Sequence, residues 1–561
     1  MTLPEKVGQM AQVERSYLPK PTEVARYGLG SVLSGGGSAP EPNTPKAWAD
    51  MVDSYQRAAL ASRLAIPILY GTDAVHGNNN LRGAVIFPHN IGMGATHDPS
   101  LVWEAARVTA REASAVGIRW TFGPVVAVPQ DIRWGRTYEG YGSDPALVSR
   151  LGAAAIEGYQ GSVLGGPAFE RLPSWALLAT AKHFIADGGT SGGVDRGDAR
   201  IPESLLRAVH LPPYRAAVGA GVGSVMMSFS SWNGLPDHAN RSLVTGMLKG
   251  ELGFPGFVVS DWGGVALLPG NPAAQIRTAI DAGIDMVMIP DRYPSFIATV
   301  VELVRRGELP ESRIDDAVRR ILTAKLRLGL FEHPFAERSL ILGIGSVEHR
   351  TVARRAVRES LVLLKNEGGL LPLSGRFTRI VVAGRKADDI GVQCGGWTIS
   401  WQGMGGAITE GTTILEGIRR AAGSRASVVY SPDGRGAGGA QVGIVVVGEE
   451  PYAEGRGDRS ELGLSSGDRS TIAAVKGTGI PVVVAVVSGR PLVISDEIDG
   501  WNAALAAWLP GTEGEGVADV LFGRYRPTGR LPCVWPRTMS QIAFGSGEGA
   551  PLFPAGYGLG Y

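Results

Sequence analysis

Short apolar runs alternate with segments whose apolar residues recur every three or four positions through the first 330 residues of the chain. The short runs lie at 30–34, 66–70, 119–122, 178–184, 224–229, 257–260 and 286–289. They read as strands buried on both faces. Between them stand helical patterns such as 101–116, "LVWEAARVTAREASAV". Repeated strand–helix alternation predicts a parallel sheet. The polar positions add to this: Asp73 and His76, Lys182 and His183, Ser231 and Trp232, and Asp261 and Trp262 all lie at or just after strand ends. Groups gathered at the C-terminal ends of many parallel strands indicate a (β/α)8 barrel, whereas a doubly wound sheet collects them at one switch point. Seven strands are legible and the eighth is not evident. The opening "MTLPEKVGQM" reads as the start of an amphipathic helix.

A helix over 314–330 closes this part, and 332–346 has no period and reads as a linker. A helix over 347–364 follows, then strands at 380–382, 428–430, 444–447, 482–487 and 504–509, which predict a smaller α/β sandwich domain. The expected division is a barrel domain over 1–331, the linker, and a second domain over 347–561. The tail 552–561, "LFPAGYGLGY", is expected to dock on a surface.

The length of 561 residues exceeds what one hydrophobic core serves, in keeping with two domains. Fifty-four basic and 53 acidic residues give a net charge of +1 without clusters, which points away from nucleic acid and membrane surfaces. A neutral, polar partner is expected, with the chain a monomer or homodimer. Cys394 and Cys533 lack zinc-site spacing and are expected to be free thiols. No apolar run is long enough to span a bilayer.

The stretch "FVVSDWGG" poses the chemical question, because a core strand ends on a carboxylate, an indole and two glycines. Asp261 suits an N-cap, but Trp262 adds nothing to a cap and offers an apolar wall to a sugar ring. After the strand "GIVVV" comes "GEEPYAEGRGD", a flexible acidic loop holding Glu449 and Glu454. Glycoside hydrolysis needs two carboxyl groups across one bond, with the acid's pKa above the nucleophile's. Asp73, His76, Arg136, Lys182 and His183 suit the gripping of a pyranose. Trp397 and Trp401 in "GGWTISWQG" suit a loop that clamps a second sugar. Spacings match no metal site, and no glycine-rich stretch follows a strand and opens a helix, so neither metal nor nucleotide is expected.

With these residues in place, the chain resembles glycoside hydrolase family 3, in its branch of β-D-glucan exohydrolases and β-glucosidases. The motifs are "YGTDAVHGNNN", "RWGRTYEGYGSDP", "AKHFIADGGT", "MMSFSSWNG", "FVVSDWGG", "LLKNEGGLLPL", "GGWTISWQG" and "GEEPYAEGRGD". The resemblance implies a (β/α)8-like barrel followed by an (α/β)6 sandwich. It implies Asp261 as nucleophile and Glu454 as acid/base, with Glu449 the neighbouring candidate. Asp73, Arg136, Lys182, His183 and Met226 are then the set around the terminal glucosyl unit, and Trp262, Trp397 and Trp401 the clamp on the next. Two positions depart from the family pattern: Phe229 stands where relatives often have Tyr, and Arg196 where they carry an acidic or amide residue. The expected activity is a retaining exo-β-glucosidase or β-glucan glucohydrolase acting on β-glucans or β-gluco-oligosaccharides without a cofactor. A β-xylosidase is the alternative within the family. A non-catalytic carbohydrate-binding protein would have lost one carboxylate, and both are present. No signal peptide opens the chain, which points to the cytoplasm; relatives carry sequence ahead of this start, which leaves the periplasm and secretion open.

Overall fold

The computed structural model describes residues 1–166, 170–373 and 375–561. Among the described residues, eight parallel strands form the barrel of the first part: β1 (Ala11–Glu14), β2 (Ser31–Ser34), β3 (Leu69–Thr72), β4 (Trp120–Thr121), β5 (Thr180–Phe184), β6 (Ser224–Met227), β7 (Phe257–Val259) and β8 (Val287–Met288). Ladders join β8–β1–β2–β3–β4 and β5–β6–β7. Single parallel bridges, Trp120 to Leu178 and Val259 to Met286, link the two arcs into a ring. The eighth strand is β1. It hides in the sequence because it is four residues long, carries Gln12 and Glu14, and follows the helix Leu3–Gln9 almost directly.

The barrel's outer helices start by one local device. Thr44, Asp98, Asp144 and Asn271 each precede a proline, and each side chain accepts a backbone N–H of the first turn. The cap satisfies an orphan donor while proline presets the first helical φ. The helix expected over 101–116 runs Pro99–Ser114, and that expected over 314–330 runs Glu311–Arg327.

The second sheet has β9 (Val362–Asn366), β10 (Arg379–Ala383), β11 (Ser427–Ser431), β12 (Val442–Gly448), β13 (Val482–Val487) and β14 (Ala503–Trp508). Their order is β9-β14-β13-β12-β10-β11, parallel except for β9 against β14. Here the reading of 347–364 as one helix is corrected: the helix is Val347–Ser360, and "VLLKN" is an edge strand. The tail docks beside it, with Leu559 bridging Leu363 and the Tyr557 hydroxyl donating to the Leu364 carbonyl at 3.1 Å. An otherwise open sheet edge is thereby covered. Helix Val347–Ser360 lies at the seam, since Ala353 and Ala356 join the barrel's core and Val357 the sheet's. Cys394 and Cys533 are buried and unpaired.

Candidate active site

A cleft of about 1000 Å³, counting its mouth, sits over the C-terminal ends of the barrel strands. All eight strands supply a lining residue at or near that end: Glu14, Leu33, Asp73, Phe122, Lys182, Met226, Asp261 and Met288. Arg136 comes from the loop after β4. Trp397, Trp401 and Glu454 come from loops of the second sheet's domain and close the cleft's other side.

Asp261 lies two residues beyond β7 and is buried. It is not a helix cap, because the short helix Gly264–Leu267 begins at Gly263 with no capping side chain. Asp261 Oδ1 accepts the Trp262 N–H at 2.6 Å, and the Asp261 N–H donates to His238 Nε2 at 3.0 Å. The two glycines follow from this turn. Gly263 adopts φ +61°, and a Cβ on Gly264 would stand 2.6 Å from His238 Nε2. Burial raises the Asp261 pKa to about 7; Arg136 pulls it down, the Glu454 charge pushes it up, and the Trp262 N–H and Lys182 lower it.

The charged groups form a connected network. Lys182 Nζ lies 2.8 Å from Asp73 Oδ1. Arg136 grips Glu139 through two hydrogen bonds of 2.9 Å and lies 3.1 Å from His183 Nε2. Arginine can only donate, so that nitrogen accepts and Nδ1–H donates to Asp187 Oδ2 at 2.8 Å. Burial, with Arg136 and Lys182 nearby, drives the His183 pKa down and keeps the ring neutral. Arg136 Nη1 reaches Glu454 Oε1 at 3.7 Å, while His183 Nε2 is 3.8 Å from Asp261 Oδ2. One chain of contacts thus joins the carboxylates of the two halves.

Glu454 is buried and adopts φ +52°, a left-handed conformation costing about 1–3 kcal/mol in a non-glycine residue. Its loop is pinned on every side. Ala453 N–H donates to Gln402 Oε1 at 2.9 Å, the Tyr138 hydroxyl to the Tyr452 carbonyl at 2.7 Å, and Gly135 N–H to Asp458 Oδ1 at 2.8 Å. A Cβ on Gly135 would stand 2.2 Å from the Glu454 carbonyl oxygen, so this approach requires glycine.

Three expectations are corrected here. Glu449 does not line the cleft: Oε1 pairs with the fully buried Arg490 at 3.1 Å, and Oε2 accepts from Tyr452 at 2.8 Å and Gly489 at 3.0 Å. It anchors the loop that carries Glu454. Glu449→Ala is expected to cost about 3–5 kcal/mol in denaturant titration, because Arg490 would be left buried with backbone carbonyls but no carboxylate to balance its charge. His76 does not line the cleft either. It stacks on His89 at 3.6 Å and meets Thr398 Oγ1 at 3.0 Å, steadying the tryptophan loop from below. Trp397 is 6% exposed and its indole N–H donates to Glu139, so it forms a wall and not a jaw. The exposed indoles at the mouth are Trp262 and Trp401, 40% and 42% exposed, flanking Gly35 and Gly36 after β2.

Asp261, Glu454, Asp73, Arg136, Lys182, His183, Met226, Trp262, Trp397 and Trp401 all line this one cleft. Sequence reasoning missed Glu14 and Glu139. Glu14 accepts hydrogen bonds from Gly35 N–H at 2.7 Å and from Ser38, shaping the wall beside Trp262. It ends the strand that could not be seen. Glu139 stands three residues after Arg136, a spacing that could have marked it as the arginine's partner.

Residues 2–324 match the model of the glycosyl hydrolase family 3 N-terminal domain, and residues 361–561 that of the C-terminal domain. The lysosomal beta glucosidase of Dictyostelium discoideum is 35% identical over all of this chain and 75% of its own. A beta-xylosidase of Formosa agariphila is 33% identical over 91% of this chain and 77% of its own. Among solved structures, the exo-1,3/1,4-beta-glucanase of a Pseudoalteromonas species superposes with a TM-score of 0.94 at 43% identity, covering 100% of this chain and 73% of that one.

Proposed function

We propose that this chain, which belongs to glycoside hydrolase family 3, is a retaining exo-acting β-glucosidase or β-D-glucan glucohydrolase. It frees glucose from the non-reducing ends of β-glucans or β-gluco-oligosaccharides. The observation that carries this reading is that Asp261 and Glu454, one from each half, line one cleft in which Lys182, Arg136 and His183 are buried and Trp262 and Trp401 stand exposed at the mouth. Asp73, Lys182 and Arg136 hold the terminal glucosyl hydroxyls inside, and the next unit lies between Trp262 and Trp401. This polarity of the cleft supports exo action.

Asp261 Oδ2 attacks the anomeric carbon while Glu454 gives its proton to the departing oxygen. In the second step water attacks the same carbon, Glu454 takes the water's proton, and Asp261 leaves as a carboxylate. Arg136 and Lys182 supply positive charge that favours ionised Asp261 against its burial. Met226 and Phe122 give the cleft apolar surface. We read 332–346 as the connection between the two catalytic parts, 1–331 and 347–561.

The β-xylosidase reading is kept by the relative of that name. Comparing 4-nitrophenyl β-glucoside with the β-xyloside decides between them, and a lower kcat/KM on the glucoside would overturn the proposal. Trp401→Ala is expected to raise KM for laminaribiose or cellobiose roughly tenfold through lost ring contact, with a smaller change in kcat.

A further inference from the structure

The double displacement just described gives Arg196 no part, yet its guanidinium makes the closer of the two ionic contacts to Glu454. Arg196 Nη2 donates to Glu454 Oε2 at 2.8 Å, against 3.7 Å for Arg136. The same guanidinium lies 4.1 Å from the centre of the Phe229 ring, a cation–π distance. The residue before it is fixed to the acid/base loop: Asp458 Oδ2 accepts the Asp195 N–H at 2.8 Å while Oδ1 accepts from Gly135. Asp195 Oδ1 in turn accepts from the Trp134 indole at 3.0 Å. Its side chain is 44% exposed, against 4% for Arg136. Arg136 is therefore locked in the floor, and Arg196 is a cation on a fixed base with room to turn at the cleft wall.

We propose that Arg196 is a positioning residue that serves Glu454 chiefly in the second, base half of the reaction. The inference rests on Glu454 being the acid/base. A guanidinium binds a carboxylate far more strongly than a neutral carboxyl group. The hold is therefore strong after Glu454 has lost its proton to the leaving group and weak while it carries one. When a leaving group fills the cleft beside protonated Glu454, that hold is slack, and the half-exposed guanidinium, seated over the Phe229 ring, leaves the carboxyl free to face the departing oxygen. Once the leaving group has gone, it grips Oε2 firmly and fixes the carboxylate that receives the water's proton. As water attacks, its oxygen bonds to the anomeric carbon and the bond from that carbon to Asp261 breaks. Arg196 itself exchanges no proton.

The test uses Arg196→Gln and Arg196→Lys with 2,4-dinitrophenyl β-glucoside, whose departure needs no acid. In Arg196→Gln, kcat is expected to fall roughly 10- to 100-fold through loss of orientation. KM should fall with it, so that kcat/KM changes far less, and a pre-steady-state burst of one dinitrophenolate per folded active site should appear. Azide should restore kcat, and Arg196→Lys should recover most of it. An unchanged kcat in Arg196→Gln overturns the proposal. So does a fall in kcat/KM as large as that in kcat without a burst, which signals a binding or folding role. Glu454→Ala run alongside separates the two ideas. If azide rescues that variant while Arg196→Gln is unaffected, only the role of Arg196 fails. If azide does not rescue Glu454→Ala, the acid/base assignment fails first.

Discussion

Asp261→Asn is expected to be inactive and yet more stable than the parent protein at pH 8. If Asp261 is the nucleophile as proposed, its removal costs of order 10⁴- to 10⁶-fold in kcat, as for nucleophiles that act within a concerted set. The gain in stability follows from where Asp261 sits. Burial raises its pKa from 3.8 to about 7 despite Arg136 and Lys182. The folded state therefore holds this proton between those values while the unfolded chain has released it. A carboxyl group raised in this way favours folding below about pH 4, and the advantage is lost as pH rises through about 7. Asparagine keeps the oxygen that accepts the Trp262 N–H and carries no charge to desolvate. The variant should gain on the order of a few kcal/mol over the parent at pH 8, and the gap should close toward pH 4. Denaturant titration at the two pH values checks it. A variant less stable than the parent at pH 8 would mean that the network around Asp261 stabilises its charge more than burial opposes it. Substantial residual turnover would remove Asp261 from the nucleophile's role.

Glu454→Ala is expected to depend on the leaving group. On laminaribiose or cellobiose, where an alkoxide must be protonated as it departs, kcat/KM should drop about 10²- to 10⁴-fold. On 2,4-dinitrophenyl β-glucoside the first step should be nearly spared and the second slowed, so that glycosyl-enzyme accumulates. Azide needs no general base and should restore turnover, giving β-glucosyl azide after two inversions at the anomeric carbon. An α-configured product would refute the retaining mechanism, and an equal loss on both substrates would refute the acid/base role. The effect on the fold should be small, because Glu449, Arg490, Tyr138 and Asp458 hold the loop besides the Glu454 carboxylate, and Arg136 keeps Glu139.

Two of the strands that escaped sequence reading share a cause. Ala11–Glu14 and Val362–Asn366 each adjoin a helix with little or no intervening turn, and each has polar residues at positions where a buried strand would be apolar. Periodicity over such short windows does not separate a helix end from a strand. Glu449 and Trp397 misled for a different reason. An acidic loop and a pair of tryptophans state which chemistry is available, but not which members turn inward. Arg490, which claims Glu449, stands 41 residues further along the chain.

The sequence by itself determined the alternation that makes a parallel barrel, the capped starts of its helices, and the carboxylate, lysine, histidine and indole that its strand ends carry. These are local facts, set by side-chain period, turn chemistry and the residue at each strand terminus. Only the tertiary structure decided which carboxylate of the acidic loop lines the cleft with Asp261, that Trp262 and Trp401 but not Trp397 stand exposed at the mouth, and that Arg196 rests on Glu454. Each of those depends on contacts between the two halves of the chain, where burial and pairing are settled by packing and not by neighbours in sequence.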